Sequence, residues 1–165
     1  MIYQSPAGVL KIIIHEGFIN EINFLKDADK QISQIFAEEN SKENKAVAEK
    51  CKTQFDEYFS GKRKIFDLPI KQSGTLFQEK VWNELIKIPF GKTISYLQLS
   101  QKIGNVKLIR AVGTANGRNN LAIVVPCHRV IGSDGSLTGY AGGLSRKQWL
   151  LEHENKYANG VNLLF

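Results

Sequence analysis

Between Thr75 and Gly117 the chain punctuates its own helices, and that punctuation leaves few folds open. Thr75-Leu76-Phe77-Gln78 reads as a capping box, in which the Thr hydroxyl and the Gln amide satisfy orphan backbone amides reciprocally. Phe77, Val81 and Leu85 follow at helical spacing as a buried stripe, with Trp82 and Ile86 beside them. Pro89 and Gly91 stop this helix. Ser95-Tyr96-Leu97-Gln98 is a second capping box and opens a short helix that ends at Gly104. Asn105 caps a third helix, Val106 to Asn116, closed by Gly117. A short helix, a Gly-containing turn and a second helix spell a helix-turn-helix.

Charge gives that unit a direction. Residues 1–84 carry 12 Lys/Arg and 13 Asp/Glu, a net of −1, while residues 134–165 carry three of each sign. Residues 85–133 hold Lys87, Lys92, Lys102, Lys107, Arg110, Arg118 and Arg129 and no acid, which places the excess positive charge in one block. Such a block attracts polyanions, nucleic acid above all; the alternative is a solvated basic face with no partner. The small residues Ala111, Gly113, Thr114 and Ala115 around Arg110 permit close approach, either to DNA or to another helix.

The first half reads as scaffold. Val9 to His15 and Phe18 to Phe24 alternate as paired strands about a Glu16-Gly17 turn. Asp29 to Asn40 has helical composition, with Ile32, Ile35 and Phe36 on one stripe. A second helix runs from Lys45 to Phe59, with Val47, Cys51, Phe55, Tyr58 and Phe59 inward and Gly61 just past its end. Gly61 to Gly74 is a basic, Pro-containing connector, and the boundary between the two parts falls there.

After the helix-turn-helix, Leu121 to Val125 reads as a buried strand broken by Pro126, so Cys127 stands at a strand-to-turn corner. Val130-Ile131 resumes an apolar run, and Ser133-Asp134-Gly135 is a turn. Gly139 to Gly143 is a backbone-rich loop. Leu144 to Glu154 is a final helix with Leu144, Leu151 and Trp149 inward. The apolar tail Val161 to Phe165 is expected to fold back on the body. The fold class is therefore α+β: a small strand-and-helix part, then a mostly helical part with a short strand at the cysteine.

Two cysteines make no disulfide framework, and no Cys/His cluster has zinc-ligand spacing, so neither a metal nor another cofactor is expected. No apolar run approaches the ~20 residues of a membrane span, and no signal peptide is visible, which points to the cytoplasm. Cys127 beside His128 is a candidate nucleophile beside a candidate base, though the pair alone suits an idle thiol in a core strand better.

Five ordered stretches decide between these readings. Phe77-Gln78 with Val81-Trp82, Gly91 to Tyr96, Arg110 to Gly113, Pro126 to Ile131, and Gly139 to Leu144 leading to His153-Glu154 resemble the O6-alkylguanine-DNA alkyltransferases. The resemblance covers about half the chain, roughly residues 75 to 155. It implies a ribonuclease-H-like scaffold domain over residues 1–73 and a DNA-binding alkyltransferase domain over 74–165. It implies a cytoplasmic, nucleoid-associated monomer that repairs alkylated guanine in double-stranded DNA. It also implies transfer of the alkyl group to Cys127, once per molecule.

Roles follow residue by residue from that resemblance. Cys127, His128, Glu154, Tyr96 and Asn119 form the catalytic set. Adjacent residues of an extended chain point to opposite sides, so His128 is expected to reach Cys127 through water, with Glu154 fixing its tautomer. Without the resemblance, Glu154 reads as a solvated helix-end carboxylate. Tyr96 would donate to the guanine ring, and Asn119 would brace the turn at the cysteine. Arg110 would fill the gap left by a flipped nucleotide, with Lys107, Ala111, Gly113, Thr114, Arg118 and Ser95 along the minor groove. Val130, Tyr140, Ala141 and Gly142 would line the pocket. Two positions depart from common members of the family: Asn120 stands where many have Pro, and Ala141 where some have Ser. Two rival readings remain: a non-catalytic helix-turn-helix lesion reader, whose relatives lack the cysteine, and a Cys-His hydrolase, for which no oxyanion-hole motif is evident.

Overall fold

Glu16 and Gly17 reverse the hairpin between the strands Gly8–His15 and Phe18–Phe24 with positive φ at both residues, 49° and 75°. That is the twist a two-residue hairpin turn demands, and Gly17 adopts it without steric cost. A computed structural model describes residues 1–26 and 41–160. The chain divides into two compact units, Met1–Gln72 and Ser73–Phe165.

In the first unit, β1 (Ile2–Ser5), β2 (Gly8–His15) and β3 (Phe18–Phe24) form an antiparallel sheet in that order. β2 and β3 fall where the alternation puts them. β1 is an addition, four residues of mixed character that pair Tyr3 with Leu10. Helix α1 (Lys42–Phe59) starts three residues before the expected Lys45, because the Ser41 side chain caps it by accepting from Asn44 N. Asn44 in turn accepts from Gly17 N at 2.8 Å, fastening the helix start to the hairpin turn. Leu10, Ile12, Ile19, Ile22, Cys51, Phe55 and Tyr58 are fully buried between sheet and helix. Burial pushes the Cys51 thiol up to about 12, which makes it inert packing. The connector is less loose than its composition implies. Ile70 bridges Ile19 in parallel, and Gln54 brackets the Asp67 backbone at 2.9 and 3.0 Å.

In the second unit both capping boxes form. Thr75 and Gln78 exchange bonds of 2.9 and 3.2 Å ahead of α2 (Leu76–Ile86), and Ser95 and Gln98 exchange bonds of 2.8 and 3.0 Å ahead of α3 (Tyr96–Ile103). Gly104 closes α3 in the left-handed region at φ 106°. Asn105 does cap the third helical stretch, but its first turn, Val106–Leu108, is 3-10, and the α-helix α4 spans only Ile109–Gly117. The three helices pack on one another, and Trp82 Nε1 donates to the Ala115 carbonyl at 2.9 Å to tie α2 to α4. Two short parallel strands, β4 (Ile94–Ser95) and β5 (Val130–Ile131), join the start of α3 to the segment after Cys127. Helix α5 (Leu144–Asn159) runs a turn beyond Glu154.

Two expectations fail here for physical reasons, and two further segments are not tested. Leu121 to Val125 is no strand: it is a buried turn in which Val125 N bonds Leu121 O at 2.9 Å and Ile123 takes φ 72°. Apolar content recorded its burial, not its conformation. Ile86 and Leu144 are half exposed, at the ends of their helices, where the apolar stripe no longer faces the core. The helix expected at Asp29 to Asn40 and the tail Val161 to Phe165 lie outside the described residues.

Candidate active site

Cys127 opens a single 3-10 turn, Cys127–Arg129, between the buried 121–125 turn and β5. Asn119 builds the approach to it. Its Oδ1 accepts from Leu121 N at 3.0 Å, and its Nδ2 donates to Val125 O at 2.8 Å and to Cys127 Sγ at 3.2 Å. One side chain therefore shapes the turn and points a donor at the sulfur. Burial pushes the Cys127 thiol up, and Asn119 and the Lys147 ammonium pull it partway back.

His128 and Glu154 are both fully buried and meet at 2.8 Å, Nε2 to Oε1. The solvated reading of Glu154 is thereby excluded. Its carboxylate also accepts from Arg129 Nε at 2.8 Å, Arg129 Nη2 at 2.9 Å and the Gly91 amide at 3.2 Å. Gly91 has to be glycine, since φ is 75° and a Cβ would collide with Ala158. Arg129 donates to Ile88 O at 2.6 Å as well, and lies over the Phe90 ring.

Burial alone would raise Glu154, but His128 and Arg129 outweigh it and hold the carboxyl well below the usual range. Burial pushes the His128 imidazole down, and the attraction of Glu154 recovers only part of that loss. Because Arg129 is permanently charged, it keeps Glu154 ionised while His128 stays neutral. The hydrogen-bond network then assigns the tautomer: Nε2 carries the proton to Glu154, and Nδ1 presents a buried lone pair with no partner among the described residues. Among those residues no hydrogen bond joins the Cys127 thiol to the His128 ring. The two are neighbours within one 3-10 turn and not within the extended chain expected.

Tyr96, the first residue of α3, donates its hydroxyl to Thr138 O at 3.1 Å. Lys147 is fully buried beneath it. Its Nζ donates to Val130 O at 2.6 Å and Thr138 O at 2.9 Å, and burial pulls the ammonium down to about 8. Val130 is buried in β5, while the Tyr140 hydroxyl is buried without a partner among the described residues and Ala141 is exposed. Gly142 O accepts from Arg146 at 3.0 Å.

All the expected DNA-facing residues but Ser95 fall on α4 and its flanks. Lys107, Arg110, Ala111, Thr114 and Arg118 are exposed, and Ser95 is half-buried at its cap position. Gly113 lies against Tyr96, with a Cβ position 3.8 Å from the ring. Thr114 spends its hydroxyl on Arg110 O at 3.1 Å. In the sequence Arg129 counts only with the basic block, and Lys147 and Asn116 carry no mark of a site. A signal does exist for Arg129: it sits in an acid-free run, so its counter-charge has to come from outside that run.

Two family models match the chain, the 6-O-methylguanine DNA methyltransferase ribonuclease-like domain over residues 1–72 and the DNA binding domain of the same name over 76–156. A methylated-DNA–protein-cysteine methyltransferase of Methanosarcina acetivorans is 43% identical over 153 residues, covering 93% of this chain and 96% of that protein. The constitutive enzyme of that name from Bacillus subtilis is 43% identical over 152 residues, with 92% of each chain covered. The crystal structure of Mycobacterium tuberculosis O6-methylguanine methyltransferase superposes with a TM-score of 0.78 at 36% identity, over 97% of this chain and 94% of that one. A second structure from that organism, in complex with DNA, gives 0.78 at 38% identity, over 95% and 92%. This chain belongs to the 6-O-methylguanine DNA methyltransferase family.

Proposed function

We propose that this chain repairs O6-alkylguanine in duplex DNA by taking the alkyl group onto Cys127, irreversibly and once per molecule. The observation that carries the reading is the unpaired Nδ1 of a neutral His128, held in place by an ionised Glu154 and set one residue from a thiol. A free thiol near pKa ~8.5 is a few per cent thiolate at neutral pH, and burial lowers that fraction further. A base must therefore take the proton as attack proceeds. Through a bridging water, His128 Nδ1 accepts it. The Cys127 sulfur attacks the alkyl carbon in line, a C–S bond forms, and the C–O bond breaks with its electron pair going to guanine. Tyr96 donates to the ring as that charge builds, and the thiol proton finishes on the departing guanine. Asn119 holds the thiol turn throughout. A thioether is stable, and no second site to cleave it is proposed.

The reacting base has to leave the helical stack to reach a thiol only 7% exposed. In this reading Arg110 fills the vacated space, and α4 lies in the minor groove with Lys107, Ala111, Gly113, Thr114, Arg118 and Ser95 along the strands. Val130, Tyr140, Ala141 and Gly142 surround the flipped base. Residues 74–165 carry the DNA-binding and transfer roles, and residues 1–73 act as a ribonuclease-H-like scaffold. The protein acts as a monomer on chromosomal DNA in the cytoplasm; no helix among the described residues is long and apolar enough to cross a membrane. The test is transfer of radiolabel from O6-methylguanine DNA. Label on Cys127 in stoichiometric amount is expected, and label transfer that persists in Cys127→Ser would overturn the assignment.

A further inference from the structure

Asn116 sits beside Cys127 with a carboxamide that the fold does not need. It lies in the last turn of α4 and is 2% exposed. Its Nδ2 donates to the Cys127 carbonyl at 3.4 Å, a long bond. Its Oδ1 is buried and receives no hydrogen bond from the described residues. An unpaired amide oxygen in the interior costs stability, and a leucine, which branches at the same atom, would occupy the position without that cost. The polar group is thus kept at the expense of stability, which is the pattern expected of a functional position.

Its surroundings indicate the function. One turn earlier on α4, Gly113 rests against the Tyr96 ring. Burial pushes the Tyr96 hydroxyl up, and Thr138 and then Asn116 draw it back down. The Tyr96 hydrogen is committed to Thr138 O at 3.1 Å, but the phenolic oxygen has lone pairs open to a donor. Asn116 Nδ2 has one N–H beyond the one directed at Cys127.

We propose that Asn116 is a positioning residue that donates its second amide hydrogen to the Tyr96 oxygen, so that the phenolic hydrogen turns from Thr138 to the departing guanine. The inference rests on the proposed function and adds one residue to it. A phenol that accepts a hydrogen bond is a stronger donor in its turn, because bonds in a chain polarise one another. No covalent bond is made or broken beyond those of alkyl transfer. The Asn116 bond to the Cys127 carbonyl is long, 3.4 Å, so the nucleophile's turn is held by Asn119 and not by this side chain.

A double-mutant cycle tests this in the full chain, with free O6-benzylguanine as substrate and the rate of Cys127 alkylation as readout. Asn116→Leu should slow alkylation about three- to tenfold, the worth of one hydrogen bond, with a melting temperature equal to or above the parent's. In a Tyr96→Phe background the same substitution should change nothing further. Equal slowing in both backgrounds, or no slowing in the parent, overturns the proposal. If leucine overpacks the site and the variant does not fold, Asn116→Ala goes through the same cycle under the same criteria. A parent protein whose Cys127 stays unalkylated would overturn the proposed function itself, a result distinct from a failed cycle.

Discussion

His128 Nε2 donates to Glu154 Oε1 at 2.8 Å, and neither side chain has any exposed surface. Arg129 grips the same carboxylate through two nitrogens at 2.8 and 2.9 Å. The carboxylate therefore has two tasks, orienting the imidazole and neutralising a buried guanidinium, and substitutions can separate them.

Glu154→Gln keeps the shape and removes the charge. Arg129 is then buried without a counter-ion, which should cost about 3–5 kcal/mol of folding stability. Chemical denaturation measures that loss. Alkylation by the folded fraction should slow as well, because an uncharged partner no longer favours the imidazolium formed during attack.

Acid should destabilise the protein in two steps of one sign. His128 is depressed in the folded state, so below the unfolded value near pH ~6.5 the unfolded chain binds the extra proton, and stability falls as pH falls. Glu154 is depressed too, so its contribution is complete above the unfolded carboxyl value near ~4.3 and declines below it. Melting temperatures between pH 8 and 3 should therefore fall with acidity, beginning just below 7. A melting temperature that rises over that range would contradict a neutral buried His128.

Arg110→Ala separates base flipping from chemistry. Arg110 is exposed on α4, away from the buried relay. Repair of duplex DNA should drop by tenfold or more, on the order of the few kcal/mol that unstacking costs, while reaction with free O6-benzylguanine stays within about twofold. Rates on the two substrates, measured side by side, check this.

The salt dependence of DNA binding distinguishes the exposed cations from the buried one. Lys107→Ala should lower the slope of log K against log salt by about 1, the signature of one lost phosphate contact. Arg129 is 5% exposed and committed to Glu154, so Arg129→Gln should leave that slope unchanged while lowering stability.

Local chemistry makes much of this legible in the sequence. Capping boxes declare themselves within four residues, so α2 and α3 fall where Thr75 and Ser95 put them. Alternation marks β2 and β3 in the same way. Long-range pairing is what stays hidden. The ion pair of Glu154 with Arg129 spans 25 residues, so its burial leaves no local trace. The 121–125 turn reads as a strand because every residue in it is apolar, and only the bonds of Asn119 reveal its shape. β1 is short and mixed in character, and it becomes a strand only because β2 offers it an edge. Lys147 looks like any helix lysine until β5 and Thr138 supply carbonyls for its ammonium.

The most direct measurement is the intact mass of the protein after incubation with excess O6-methylguanine duplex, followed by peptide mapping. One added methyl group per molecule, on the peptide containing Cys127 and absent in Cys127→Ser, is the predicted result. Methyl groups on another residue, or guanine restored within the duplex in excess of protein with Cys127 unmodified, would contradict it.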